Sequence, residues 1–180
     1  MKRSSVLFFV LFFCTISCDL VKDSPDTIFQ LIGLNSNKIP PSYERVFKEL
    51  RQQKESKSLN VPSEDGKSMK KANCVEFVKY FYGLTFKEDL KKIKKLNPDD
   101  DAKEIVKAGI ELFEYADEIQ SKDFPVIAKM IDDGKSDEEV DAAAKHLDDT
   151  KGIELDKKHQ KMMDLLLPYA DKNGVEYKRL

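Results

Sequence analysis

An all-α fold, a single compact multi-helix domain with an apolar core or ligand cavity, is predicted by three features of this sequence. Apolar residues recur at helical spacing in stripes along most of the chain. The seven glycines and seven prolines fall mostly where those stripes start or stop. Charged residues make up 36% of the 180 positions with both signs interspersed, which suits the solvated outer faces of helices. Hydrophobic content of 41% is enough for one core.

The chain opens with a leader. Met1 to Cys18 has a basic start (Lys2, Arg3), an apolar run from Val6 to Phe13 and a small-residue end, the pattern of a secretory signal peptide. The run is too short to span a hydrocarbon layer of about 30 Å as a helix. Cleavage after Ser17 would keep Cys18 and allow it to pair with Cys74. Cleavage after Cys18 would leave Cys74 alone, and acylation of Cys18 would make a bacterial-type lipoprotein. The expected products are a signal peptide, 1–18, and a secreted, extracellular helical domain, 19–180. Net charge is −2 and becomes −4 once Lys2 and Arg3 leave with the leader. An acidic chain without a clustered basic face argues against nucleic-acid binding. The local exception, Lys91, Lys92, Lys94 and Lys95, reads as a solvated helix face.

Pro25 to Leu34 makes a short apolar helix, ended by Gly33 and the polar run from Asn35 to Lys38. Ile39-Pro40-Pro41-Ser42-Tyr43 opens the next helix, about Ser42 to Gln53, with Tyr43, Val46, Phe47 and Leu50 on one side. Lys54 to Lys71 is polar and carries Pro62 and Gly66, so it reads as a mobile loop near 54–71.

The stretch from Val75 to Leu96 reads as two helices and an aromatic corner. Val75, Val78, Phe81 and Tyr82 share one face, and Phe86, Leu90 and Ile93 form a second stripe. Gly83 is placed to end the first helix in the left-handed conformation. Thr85 followed by Glu88 is a capping box, so the second helix is expected to start there. This geometry points Phe77 and Phe81 inward.

Asn97-Pro98 then caps a long central helix reaching about Gln120, with carboxylates in its first turn. Gly109 inside that helix costs about 1 kcal/mol relative to alanine, in exchange for close packing or space for a ligand. Ser121 to Phe124 reads as a break, and Pro125 starts another helix ended by Gly134. Ser136 and Glu139 form a second capping box. Asp148 to Gly152 is a turn, and the last helix is disrupted or kinked at Pro168.

Catalytic chemistry is not visible. His146 and His159 do not form a zinc pair, and H-E-x-x-H and C-x-x-C are both missing. No G-x-S-x-G or Gly-rich phosphate loop is present. Neither the aspartates at 99–101 nor Asp171-Lys172-Asn173-Gly174 has the ligand spacing of a calcium loop. The reading is a protein with no catalytic residues, no metal and no cofactor.

Two motifs carry a resemblance. Ile39-Pro40-Pro41-Ser42-Tyr43, and Val78-Lys79-Tyr80-Phe81-Tyr82-Gly83-Leu84-Thr85-Phe86-Lys87-Glu88-Asp89 ahead of a lysine-rich helix, resemble the nematode fatty-acid and retinol-binding proteins. That family shows I-P-x-x-Y and V-x-x-F-Y-x-x-L-T-x-E-D, with the acidic pair one position earlier than here. The segment between Tyr43 and Val75 is longer than the family pattern, and Cys74 is not part of it. The resemblance implies a secreted helical carrier that encloses a fatty acid or retinol in an internal apolar cavity. It also implies fatty acids or retinoids as partners, with transient membrane contact. Phe77, Phe81, Leu84, Ile110, Phe113, Ile127, Met130, Met163 and Leu166 are the candidate cavity walls; the plainer reading of the same nine is core packing. Arg45 or Lys79 would meet a carboxylate headgroup unless that group stays in water. The alternative function is a secreted or lipid-anchored surface protein that acts through protein–protein contact.

Overall fold

The computed structural model describes residues 21–178, so the leader and Cys18 lie outside the described residues. Helices dominate, as the periodicity predicts. Helix α1 (Pro25–Ile28) is capped by the Ser24 hydroxyl and runs on through a π turn, Phe29–Leu34. Helix α2 is Tyr43–Glu55. Strands β1 (Asn60–Pro62) and β2 (Met69–Lys71) follow, then α3 (Cys74–Phe81) and α4 (Lys87–Ile93). A 3-10 turn, Asp100–Ala102, leads into α5 (Lys103–Glu118). Next come α6 (Phe124–Asp132), α7 (Asp137–Leu147) and α8 (Ile153–Lys172).

Three helix pairs carry most of the packing: α5 on α8, α3 on α6, and α2 on α7. Their shared core is aromatic at its centre. Phe124 meets Tyr43, Phe47 and Tyr82 at ring-centroid distances of 5.1–5.2 Å, mostly edge to face, and Phe86 meets Phe113 at 5.3 Å. Arg51 on α2 ties α7 through Asp141 at 2.7 Å and Asp137 at 3.2 Å. Lys38 reaches the buried Asp89 of α4 at 2.6 Å, so that carboxylate is not left unpaired in the interior.

Two helix starts are capped from far away in the chain. The Asp148 carboxylate accepts the N–H groups of Tyr43 and Glu44, and Asp132 accepts those of Cys74 and Val75. Each puts an anion on the positive end of a helix and satisfies donors with no partner inside it.

The structure corrects several sequence expectations. The polar stretch near 54–71 is not an open loop: β1 and β2 pair antiparallel, Val61 opposite Lys70. Leu59 and Val61, two apolar side chains in that stretch, are both buried and anchor the hairpin. Gly66 turns it at φ 66°. Thr85 does not cap α4, because its hydroxyl donates to the Phe81 carbonyl one turn back. Helix α4 starts at Lys87, and the buried Phe86 takes the cap position without a side-chain bond. Gly83 is not left-handed; glycine is required there because a Cβ would stand 2.8 Å from the Lys79 carbonyl oxygen.

Asp99, not Asn97, caps the 3-10 turn that leads into the central helix: its carboxylate accepts the Ala102 N–H at 2.8 Å, and α5 itself starts without a side-chain cap. Asn97 instead exchanges bonds with Asp23 and holds the N-terminal segment in place. The expected break at Ser121–Phe124 is a π turn, Ile119–Asp123, and the backbone stays helical into α6. Pro125 has no N–H to give to the preceding turn, and the π turn absorbs that missing bond. Asp148–Gly152 is likewise a π turn that joins α7 to α8. Helix α8 continues through Pro168 to Lys172.

Candidate ligand-binding groove

A concavity forms where α1 with its π turn, α8 and the C-terminal segment meet. Its shape follows from three local features. Gly33 lets the π turn after α1 lie against α8, since a Cβ there would stand 2.8 Å from Leu166 Cδ2. After α8, Gly174 adopts φ 69°, and the Val175 N–H bonds back to the Ala170 carbonyl at 3.0 Å. That left-handed ending folds the chain back over the helix. Val175 is thereby buried, and Tyr177 lies across Phe29 with ring centroids 5.0 Å apart. The Tyr177 hydroxyl donates to Asp171 at 2.7 Å, which fixes the ring.

The result is a half-open groove of about 620 Å³. Phe29, Gly33 and Val175 form its floor, Met163, Leu167 and Tyr177 its sides, and Leu34 stands half exposed at the rim. The polar groups lie around the edge: Asp26, Gln30, Asn37, Glu176 and Lys178. An apolar trough with a few peripheral polar groups suits the body of an elongated apolar molecule, with its polar end toward water. Two carboxylates against one ammonium make the rim more hospitable to a neutral headgroup than to an anion away from Lys178.

The residues expected as cavity walls are not brought together there. Phe113 and Leu166 are fully buried in the core, and Ile127 is nearly so. Phe77, Ile110, Met130 and Met163 are partly buried against that core. Of the nine, Met163 alone lines the groove. Phe81 and Leu84 do not point inward: they are 43% and 48% exposed. On α3 Cys74, Phe77, Val78 and Phe81 share one face at i, i+3, i+4 and i+7; Cys74 and Val78 fill the core, Phe77 is partly buried, and Phe81, the last residue of the helix, is left exposed. Arg45 pairs with Glu49 at 2.8 Å, and neither it nor Lys79 reaches the groove.

Sequence reading missed Phe29, Leu34, Leu167, Val175 and Tyr177. Phe29 and Gly33 at i, i+4 offered a signal, but Tyr177 becomes a wall only through the reversal at Gly174.

Strongly shifted titrating groups lie away from the groove. Burial and the neighbouring Asp132 carboxylate push the Cys74 thiol up to about 12, which leaves it un-ionised and a poor nucleophile at neutral pH. Burial, then Asp148, raises the Tyr43 phenol. Burial raises the Asp117 carboxyl, opposed by Lys87. Among the described residues, no group of three or more His, Cys, Asp or Glu side chains is placed to hold a metal ion. No helix among them is long and apolar enough to cross a membrane. No protein-family model, curated protein or solved structure matches the chain.

Proposed function

We propose that the protein is a helical carrier that binds a fatty acid or a retinoid along the groove between α1, α8 and the C-terminal segment. The groove itself carries this reading: about 620 Å³, apolar on floor and sides, polar only at its edge. Its volume falls within the roughly 300–1,000 Å³ range of small-molecule sites. The resemblance of Ile39–Tyr43 and Val78–Asp89 to the nematode fatty-acid and retinol-binding proteins supports the same ligand class and a secreted carrier. The proposed site differs from the interior cavity which that resemblance implies, because most of the interior wall candidates are engaged in packing and Phe81 and Leu84 are exposed.

The rim charge gives the reading a preference. A neutral retinol places no charge near Asp26 and Glu176. A fatty acid would set its carboxylate beside Lys178 or in water.

The test is saturable enhancement of retinol fluorescence on delipidated protein, with competition by a fluorescent fatty acid. The chain has no tryptophan, so ligand signals are read without an intrinsic indole background. Leu167→Trp fills the groove and Leu34→Asp charges its rim; each is expected to weaken binding about tenfold or more, the scale of one lost apolar side-chain contact. No saturable binding in the micromolar range would refute the proposal, as would binding that ignores both substitutions. The exposed Phe81 and Leu84 favour a second reading, a secreted or anchored surface protein working by protein contact. Such a protein would show no saturable ligand binding.

A further inference from the structure

The apolar stripe of helix α3 is covered by the core at its start and left open at its end. Cys74 and Val78 enter the core with no exposed surface. Phe77, Tyr80, Phe81 and Leu84, spaced i, i+3, i+4 and i+7, carry the apolar surface on past them and off the end of the helix. Tyr80, Phe81 and Leu84 are each more than 40% exposed. Their rings are organised: Phe77 and Phe81 lie 4.5 Å apart, and Tyr80 meets Phe81 edge-on at 5.0 Å. An ordered aromatic stripe at this exposure costs solvation free energy unless something covers it.

The surrounding charge says what covers it. Residues 74–96 hold six lysines against three carboxylates, in a chain whose net charge is −2. One of those carboxylates, Asp89, is buried and already neutralised by Lys38. Lys79, Lys92 and Lys95 are exposed, and no carboxylate pairs with them among the described residues. A cationic segment on an acidic protein, with tyrosine, phenylalanine and leucine at its tip, has the chemistry of a peripheral lipid contact. The aromatic and aliphatic groups settle at headgroup depth and the lysines meet lipid phosphates.

We infer that the α3–α4 corner is the surface by which this protein seats reversibly on an anionic lipid bilayer, with Phe81 and Leu84 inserted and Lys79 and Lys92 on the phosphates. This goes beyond ligand binding in the groove and does not depend on it. Helix α3 stays outside the hydrocarbon and is anchored to α6 throughout.

The test is flotation of the full chain with vesicles of phosphatidylcholine alone, or with about one third phosphatidylserine, at low and high salt. Comparing wild type with variants subtracts any contribution of the apolar N-terminal run. Binding is expected on the anionic vesicles, weakened by salt as screening requires. Phe81→Ser/Leu84→Ser should lower partitioning about tenfold or more. Lys79→Gln and Lys92→Gln should each lower it about fivefold on anionic vesicles and have no effect on neutral ones. These side chains are exposed, so an unchanged melting curve shows that the fold is kept. Equal binding of wild type to both vesicle types, or full binding by the double serine variant, would overturn the inference. So would concentration-dependent self-association that the serine variant abolishes while wild type ignores vesicles; that result assigns the corner to a second copy of the chain.

Discussion

Gly109→Ala tests how closely the π turn after α1 seats on the central helix. In an unobstructed helix interior alanine is favoured over glycine by about 1 kcal/mol. At position 109 the added methyl would stand 2.9 Å from Ile32 Cγ2, 3.1 Å from Cδ1 and 3.3 Å from Cγ1. Ile32 has no exposed surface, and Cγ2 branches directly from its Cβ, so no flexible end can swing aside. Forcing a methyl into a packed site of this kind costs about 1–3 kcal/mol. The cost therefore offsets or exceeds the propensity gain, and the net is a loss of about 0–2 kcal/mol. Each kcal/mol lowers the melting temperature by about 2–4 °C in a chain of this size. Ile32→Ala removes all three crowding atoms and is expected to cost about 2–5 kcal/mol alone. In the double variant the new methyl enters vacated space. The combined loss should then fall short of the sum by at least about 1 kcal/mol. Urea unfolding followed by far-UV circular dichroism reads all four corners of this cycle. A Gly109→Ala variant stabilised by the full propensity gain, additive with Ile32→Ala, would refute the packing argument. It would mean that Gly109 leaves open space, as a ligand cavity there requires.

The tertiary caps and the buried acids give two further expectations. Asp148→Ala leaves the Tyr43 and Glu44 N–H groups without their carboxylate and should cost about 1.5–3 kcal/mol in urea unfolding, whereas Asp148→Asn keeps one acceptor and should lose less. Equal losses would point to the charge on the helix end as the whole effect. Alkaline pH should destabilise the fold. The Cys74 thiol and the Tyr169 phenol are pushed up to about 12 from ordinary values of 9.0 and 10.0, and burial raises Tyr43 further. The folded state thus holds protons that the unfolded chain releases. Stability is complete below about pH 9 and falls as pH rises toward the folded values. Cys74→Ala should flatten the start of that limb, and a limb that rises with pH would contradict the assignment. Iodoacetamide should accordingly modify Cys74 only as fast as the protein opens.

Helical character was legible because it rests on spacing that survives in one dimension. Ser136 and Glu139 form the reciprocal cap that the sequence announces, and Asn73 with Glu76 forms another that went unread. The expectations that failed share a cause: each depended on which of two competing partners a group would take. The Thr85 hydroxyl had Glu88 ahead and the Phe81 carbonyl behind. Asn97 and Asp99 both suit a helix start, and Lys22 and Val21, far away in sequence, took the Asn97 side chain. Val78 and Phe81 share a face of α3, and periodicity alone could not say that the core covers the first and stops short of the second. The π turns leave almost no trace in sequence. Pro125, one residue past the start of α6, was the only hint of one of them. The groove was hidden for a similar reason, because two of its walls come from a chain reversal after the last helix.

Placement of the two proposed surfaces makes them separable. The groove is built from α1, α8 and residues 175–178, while the corner is built from α3 and the start of α4. None of the groove-lining residues belongs to the corner. Lys38, next to the groove residue Asn37, does reach Asp89 on α4, so one ion pair spans the two regions. If the surfaces act independently, Leu167→Trp abolishes retinol binding and leaves vesicle flotation intact, and Phe81→Ser/Leu84→Ser does the reverse. If bilayer contact instead loosens the groove, anionic vesicles should lower the apparent retinol affinity of the wild type beyond simple partitioning of retinol into lipid. That excess should disappear in Lys38→Met/Asp89→Asn, which removes the ion pair without leaving a buried carboxylate unpaired. Spatial continuity through one ion pair does not establish coupling, but a vesicle effect that requires that pair would.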